Sequence, residues 1–333
     1  MNAFILAAGE GTRLRPLTED IPKPLLPVFH KSLLSFALDN ILAAGITNIA
    51  LNTRYLHEAF YREFEVKLTS DYQGVGSYER QPLHVFHELV HLDTGGGIRN
   101  ARSILDKDTF LLHNGDILTD ASLTELIAHH RASGSIATLL LREEGGKANV
   151  CYNEETGFIE DFRGALHATN FEGNKKTLSL VYGGIAVLEP ALIDWIAPSG
   201  PVSIIDSLLD TMKAGHPVAG FVSRGGFWSD LGTPESYLGA HLTIAQEGWR
   251  PPYPLRSHSV QWPETIHPSA TIASSAALEG TVVIGAHARV DDGAFLKNCV
   301  LLPGATIQPG AELSHCIVRS SSCISGCHQD GIL

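Results

Sequence analysis

The sequence predicts an α/β fold: a doubly wound mixed sheet over residues 1–245, followed by a parallel β-helix over residues 264–333. Three observations carry this expectation. Up to about residue 245, short apolar, β-rich runs alternate with longer helical patterns, as βαβ units require. A proline-rich stretch, "EGWRPPYPL", then breaks the pattern and opens a linker over 246–263. Beyond it Ile266, Ile272, Leu278, Ile284, Val290 and Leu296 recur every six residues, and the series resumes at Leu301, Ile307 and Leu313 after one five-residue step.

In chain order, strands are expected at Ala3 to Ala7, Asn48 to Asn52, His84 to His87, Thr109 to Leu112, Ile136 to Leu141 and Val181 to Leu188. Amphipathic helices are expected at Ser32 to Ala44 and Leu123 to Ala132. Gly45 and Gly134 then stand where helix C-terminal glycines belong. In the C-terminal series small residues fill the gaps, as in "HPSAT", "ASSAA" and "GAHAR". One inward aliphatic per six residues with small partners suits short stacked strands joined by tight corners. A β-sandwich would alternate at period two, which these residues do not. The open ends and flat flank of such a stack invite self-association, so a homo-oligomer is expected.

Composition narrows the partners. The chain has 333 residues, 44% hydrophobic and 18% charged, with 24 Lys and Arg against 36 Asp and Glu for a net charge of -12. That balance argues against nucleic acid or an anionic membrane as partner, since both demand a positive field. A local basic cluster is then expected to serve a small anion. No charged n-region precedes the first apolar run and no apolar stretch is long enough to span a bilayer, so a cytoplasmic location is expected. Five cysteines, Cys151, Cys299, Cys316, Cys323 and Cys327, read as free thiols, and Cys323, Cys327 and His328 fit no common zinc spacing. The sixteen histidines show no metal spacing either.

The basic cluster is "LAAGEGTRLRPLTEDIPKPLLP", residues 6–27, directly after the first expected strand. A dinucleotide fingerprint would need a third glycine where Leu14 stands, and the Gly-Lys-Ser/Thr of a Walker loop is missing. Gly9 and Gly11 let backbone N-H groups approach phosphate oxygens, while Arg13, Arg15 and Lys23 add fixed positive charge. Pro16, Pro22, Pro24 and Pro27 stiffen the segment and hold those cations in place. Asp116 ends "TFLLHNGD" at the C-terminal edge of a strand, where doubly wound sheets bind ligands, and Asp230 follows an aromatic pair in "FWSDLGT".

Together with "TGGGI" at 94–98, "NGD" at 114–116, "YGGI" at 182–185 and "FWSDLGTPE" at 227–235, this stretch resembles the sugar-1-phosphate nucleotidyltransferases. The C-terminal series is similar to the left-handed hexapeptide β-helix family over about 264 to 325. The first resemblance implies a Rossmann-like domain that condenses a nucleoside triphosphate with a sugar 1-phosphate, giving a nucleotide-sugar and pyrophosphate. It implies that Leu6, Ala8, Gly9, Gly11 and Thr12 bind the nucleotide, with Thr94, Gly95 and Asn114. Arg13 would bind the departing pyrophosphate and Lys23 would bridge the two reacting phosphates. Asp116 and Asp230 resemble Mg2+ ligands, and two carboxylates suffice because magnesium completes its shell with phosphate oxygens and water. A glycine run from Thr94 leaves room for a flat ring, and Glu88 would read the base edge if its side chain reaches it. Asn149, Asp161 and Gly184 would face the sugar.

One departure stands out. Many relatives carry Glu-Lys-Pro where this chain has "IEDFRG", leaving Arg163 or Lys147 as substitutes for the missing lysine, or as plain surface charges. The "LDTGGGI" stretch is similar to N-acetylmuramate 1-phosphate uridylyltransferases and to mannose or heptose 1-phosphate guanylyltransferases, and uridylyl and guanylyl transfer both stay open. The alternative function is a non-catalytic, nucleotide-sugar-binding regulatory subunit. Such a protein should lack the phosphate lysine or a metal carboxylate, whereas Lys23, Asp116 and Asp230 are all present. The β-helix is expected to serve assembly or regulation.

Overall fold

The computed structural model describes residues 1–69, 71–166, 177–256 and 261–333, so 257–260 of the expected linker lie outside the described residues. The chain forms two compact units, neither continuous in sequence: Met1–Gly9 with Ala37–Trp228, and Glu10–Phe36 with Ser229–Leu333. The segment after the first strand thus belongs with the C-terminal part of the chain.

The first unit is built on an eleven-stranded sheet. Its centre is parallel: Asn2–Leu6 lies between Ile49–Thr53 and Phe110–Asn114, and Gln81–His87 extends it beyond Ile49–Thr53. The long strand Thr177–Leu188 turns the sheet antiparallel, pairing with Phe110–Asn114, Val150–Asn153 and Ala137–Arg142. The six expected strands are all present with ends shifted by a few residues, and the expected helices form as Leu33–Ala43 and Leu123–Ser133. Ser122 caps the second of these by accepting from the Glu125 amide at 3.2 Å, and Gly134, at φ 63°, ends it.

One face of this sheet buries Phe4, Ala50, Phe110, Leu112 and Leu139 against Ile98 and Leu208 of the helices Asp93–Asn100 and Ile204–Lys213. Each large apolar side chain buried this way contributes ~1.5–3 kcal/mol, which anchors both helices at the strand ends. The mixed sheet with helices packed on it is the expected α/β arrangement.

In the second unit, helix Pro234–Glu247 is followed by two four-stranded parallel sheets. One contains Thr271–Ile272, Arg289–Val290, Thr306–Ile307 and Cys323–Ile324; the other contains Ala277–Ile284, Phe295–Leu301, Glu312–Val318 and Cys327–Ile332. Leu278 pairs with Leu296 and Leu296 with Leu313, so three six-residue steps make one layer and the single five-residue step falls within the next. Ile284, Val290, Leu296, Leu301, Ile307 and Leu313 are fully buried in the stack. Ile266 and Leu278, from the first layer, remain partly exposed. The long strands bend where Gly280, Asn298 and His315 adopt φ of 67°, 49° and 52°. All five cysteines are free thiols, and among the described residues no helix is long and apolar enough to cross a membrane.

Candidate active site

The site residues fall into both units. In the first, the chain leaves the strand Asn2–Leu6 with the Ala7 amide donating to Asn52 Oδ1 at 2.7 Å. Asn52 in turn donates from Nδ2 to Glu88 Oε1 at 2.7 Å, and the Glu88 amide donates to the Thr53 carbonyl at 2.8 Å. These three residues end adjacent parallel strands, so the sheet itself fixes the chain. Glu88 is only 3% exposed, and burial pushes its carboxyl above the usual range, opposed first by the Asn52 bond and then by the Leu92 amide.

Thr94, Gly95, Gly96 and Gly97 form part of the helix Asp93–Asn100. A Cβ on Gly97 would stand 2.7 Å from Asn52 Nδ2 and 3.0 Å from Glu88 Oε1, so only glycine lets the helix close on that pair. The amides of Gly95 and Gly96 donate to the Val202 carbonyl at 2.8 and 3.2 Å, and Thr94 Oγ1 accepts from the Ile204 amide at 2.8 Å. The glycine run is therefore required by packing on two sides. Leu6, Glu88 and Gly97 are brought together, while the Thr94 hydroxyl is engaged with the first residue of helix Ile204–Lys213. Gly9 differs: nothing stands within 4 Å of where its Cβ would be.

Asn114 ends its strand, with the neighbouring Gly115 amide donating to the Leu6 carbonyl at 2.9 Å, and half-buried Asp116 follows. Gly184, at φ 75°, lies directly against Asn114: its missing Cβ would be 2.8 Å from Asn114 Nδ2 and 2.3 Å from Ile117 Cδ1. Asn149 Oδ1 accepts from the Tyr182 amide at 2.9 Å and so fixes the start of "YGGI". Asp161 is buried and accepts from the Leu166 amide at 3.0 Å. Lys147 and Arg163 are both exposed.

Residues not among the expected site residues also meet this unit's motifs. Asn52 was hidden because an Asn at a strand end carries no spacing signature. Trp228 donates from Nε1 to the Gly183 carbonyl at 3.1 Å, and buried Arg142 lies 5.8 Å from its ring centre while donating to the Gly225 carbonyl at 3.3 Å. Asp120 Oδ2 accepts from the Phe227 amide at 2.7 Å. His113, fully buried beside Asn114, donates from Nδ1 to the Asn114 carbonyl at 2.7 Å; desolvation lowers its pKa to about 4, so the ring is neutral.

In the second unit the basic loop folds as three short turns, Thr12–Leu14, Leu17–Glu19 and Lys23–Leu25. Gly11, at φ 63°, closes them: a Cβ there would lie 2.9 Å from Lys23 Cβ and 3.0 Å from Thr18 Cγ2. Thr18 Oγ1 also donates to the Gly11 carbonyl at 2.9 Å. Lys23 is only 6% exposed, an uncommon position for lysine, and its backbone is held by this packing. Thr12 and Arg13 are exposed. Arg13 Nη2 stands 3.6 Å from Asp230 Oδ2, with side chains 66% and 42% exposed, while Asp230 Oδ1 accepts from the Gly232 amide at 3.1 Å. An ion pair this exposed is weak and readily exchanged for a ligand. Asp116, in the first unit, and Asp230, in the second, each present carboxylate oxygens, the donor type a hard divalent cation takes. Among the described residues no cluster of three or more His, Cys, Asp or Glu forms a full protein cage.

The nucleotidyl transferase family model matches residues 2–247, and the model of the GMPPB C-terminal domain matches 260–329. The chain is 31% identical to the mannose-1-phosphate guanylyltransferase of Mycobacterium tuberculosis, covering 94% of this chain and 83% of that protein. It is 30% identical to the mannose-1-phosphate guanyltransferase of Hypocrea jecorina (97% and 87% covered) and 31% identical to that of Schizosaccharomyces pombe (97% and 86%). A fixed basic loop, two carboxylates at strand and loop ends and matches along nearly the whole chain agree: the chain belongs to the nucleotidyl transferase family, as a sugar-1-phosphate nucleotidyltransferase.

Proposed function

We propose that this enzyme transfers a guanylyl group from GTP to mannose 1-phosphate, releasing pyrophosphate. The observation that carries the choice of base and sugar is the similarity to mannose-1-phosphate guanylyltransferases over both matched segments. The geometry supports the chemistry. Nucleotidyl transfer depends on positioning and charge neutralisation, and a loop whose lysine and glycine are packed together meets that need.

In this reading the backbone from Ala8 to Thr12 cradles the triphosphate, with Gly9 giving open space for close approach. Arg13 leaves Asp230 for the β- and γ-phosphates, and Lys23 spans the α-phosphate and the sugar phosphate. A phosphate oxygen of the sugar attacks the α-phosphorus in line; the new P-O bond forms as the α-β bridging bond breaks, and the electron pair leaves with pyrophosphate. No proton need move. Asp116 and Asp230 would hold Mg2+, which would supply charge neutralisation when bound. The Asn52-Glu88 wall and Thr94 to Gly97 border the base, and Asn114, Gly184 and Asn149 border the sugar, with Asp161 supporting that side.

The domain boundaries we assign are 1–245 for catalysis, 246–263 for the linker and 264–333 for a left-handed β-helix, supported by the six-residue steps and parallel register. The partly exposed first layer at Ile266 and Leu278 favours a homo-oligomer, and the absence of a long apolar helix among the described residues suits a cytoplasmic enzyme. Pyrophosphate release by the purified protein, crossing UTP, GTP, CTP, ATP and dTTP with mannose, N-acetylmuramate, heptose, glucose and N-acetylglucosamine 1-phosphates, tests the reading. GTP with mannose 1-phosphate should give the highest kcat/KM. A different preferred pair would overturn the assignment of base or sugar, and no turnover at all would overturn the reaction.

A further inference from the structure

The loop Glu10–Phe36 is held along its length by residues from beyond Ser229. Asp230 meets Arg13 at its start. At its end the Tyr237 hydroxyl donates to the Pro27 carbonyl, the Phe29 amide donates to His241 Nε2 at 3.0 Å, and Phe29 and Phe36 pack edge-on against Trp262. Between these lies the turn Leu17–Glu19, which carries no phosphate-binding group in the proposed mechanism. Its acidic end, Glu19 and Asp20, meets Arg319: the guanidinium donates from Nη2 to Asp20 Oδ2 and stands 3.4 Å from Glu19 Oε2. Arg319 directly follows the strand Glu312–Val318, which is paired on both sides in its parallel sheet.

We propose that Arg319 is a positioning residue for nucleotidyl transfer, clamping the Leu17–Glu19 turn so that Gly11 and Lys23 are held in the geometry that receives the triphosphate. The path is short. Arg319 fixes Asp20 and Glu19; Thr18, in the same turn, donates to the Gly11 carbonyl; and Gly11, Thr18 and Lys23 are packed so closely that a shift of one moves the others. The clamp is not a stability device. Arg319 is 27% exposed and its partners over half exposed, so as an ion pair it contributes little to folding, while a displacement near 1 Å at the reacting phosphates has a large effect on rate.

The proposal rests on the nucleotidyl-transfer reading, so the test has one arm that needs no turnover. Arg319→Ala should lower kcat/KM for the triphosphate roughly tenfold, with melting within about 3 °C of the parent. The charge-swapped pair Arg319→Asp with Asp20→Arg should recover most of the loss, and Arg319→Lys part of it. Amide hydrogen exchange over residues 11–25, measured without substrate, should quicken in Arg319→Ala and return in the swapped pair. Activity within about twofold of the parent with unchanged exchange would overturn the clamp, as would a loss that tracks melting and is not rescued by the swap. Should the parent turn over no substrate pair, the exchange arm decides alone: quickened exchange in Arg319→Ala that returns in the swap supports the clamp, and unchanged exchange overturns it.

Discussion

In the proposed mechanism Lys23 brings one buried ammonium to the reacting phosphates, and its removal can be separated from damage to packing. Lys23→Met keeps most of the stem that meets Gly11 and deletes only the charge. Losing one preorganised charge should cost ~3 kcal/mol, about a hundredfold in kcat/KM, by analogy with an oxyanion-hole donor. Steady-state kinetics beside a melting curve checks this: an active Met variant would remove Lys23 from the reaction. The buried histidines act on pH in another way. Burial holds His113 and His241 down to about 4, against an ordinary value of 6.5, so both are neutral in the folded chain. A depressed pKa contributes stability that is complete above about pH 6.5 and is lost as pH falls toward about 4, since only the unfolded chain then takes up the proton. The loss is at most ~3 kcal/mol per ring, and urea unfolding should show it between pH 7 and 5, above the ordinary carboxylate range. A flat profile over that interval would contradict the neutral assignment.

At the scale of elements, the helix Pro234–Glu247 begins four residues after Asp230 with a reciprocal cap: Thr233 Oγ1 accepts from the Ser236 amide at 3.2 Å, and Ser236 Oγ accepts from the Thr233 amide at 2.9 Å. Thr233→Ala should therefore cost about 1 kcal/mol by denaturant unfolding. It should also raise KM for the triphosphate, because the capped turn holds the Gly232 amide against Asp230. An unchanged midpoint would show that the cap is not holding the turn. The sequence made the alternating strands and the six-residue series legible because both are periodic and apolar. It did not disclose the helix Asp93–Asn100, since three consecutive glycines each cost about 1 kcal/mol relative to alanine in a helix and argue against one locally. That helix exists because Gly95 and Gly97 must approach Val202, Asn52 and Glu88, contacts far apart in sequence. Gly11 reads the other way. Its place in a loop with Lys23 was visible, but not that it packs on Lys23 itself.

At the scale of the molecule, the residues from 1 to 245 carry every proposed reacting group, yet the contacts divide the chain differently. Glu10–Phe36 clusters with Ser229–Leu333, so the basic loop shares a unit with the repeat. Phe29 and Phe36 meet Trp262 with ring centres 5.0 Å apart, and buried Lys31 donates from Nζ to the Arg256 carbonyl at 2.5 Å. These partners all follow residue 247. A chain ending at Glu247 would retain the eleven-stranded sheet but remove Trp262 from Phe29 and Phe36 and the Arg256 carbonyl from Lys31. Exposing these aromatic contacts should lower stability by several kcal/mol, on the order of 3–5 for losing the buried indole alone. The expected outcome for such a fragment is a folded sheet by far-UV dichroism with triphosphate turnover reduced far more than its helix and strand content. If the fragment instead kept the kcat/KM of the full chain, the loop would be self-supporting, and the C-terminal part would have to be explained by assembly alone.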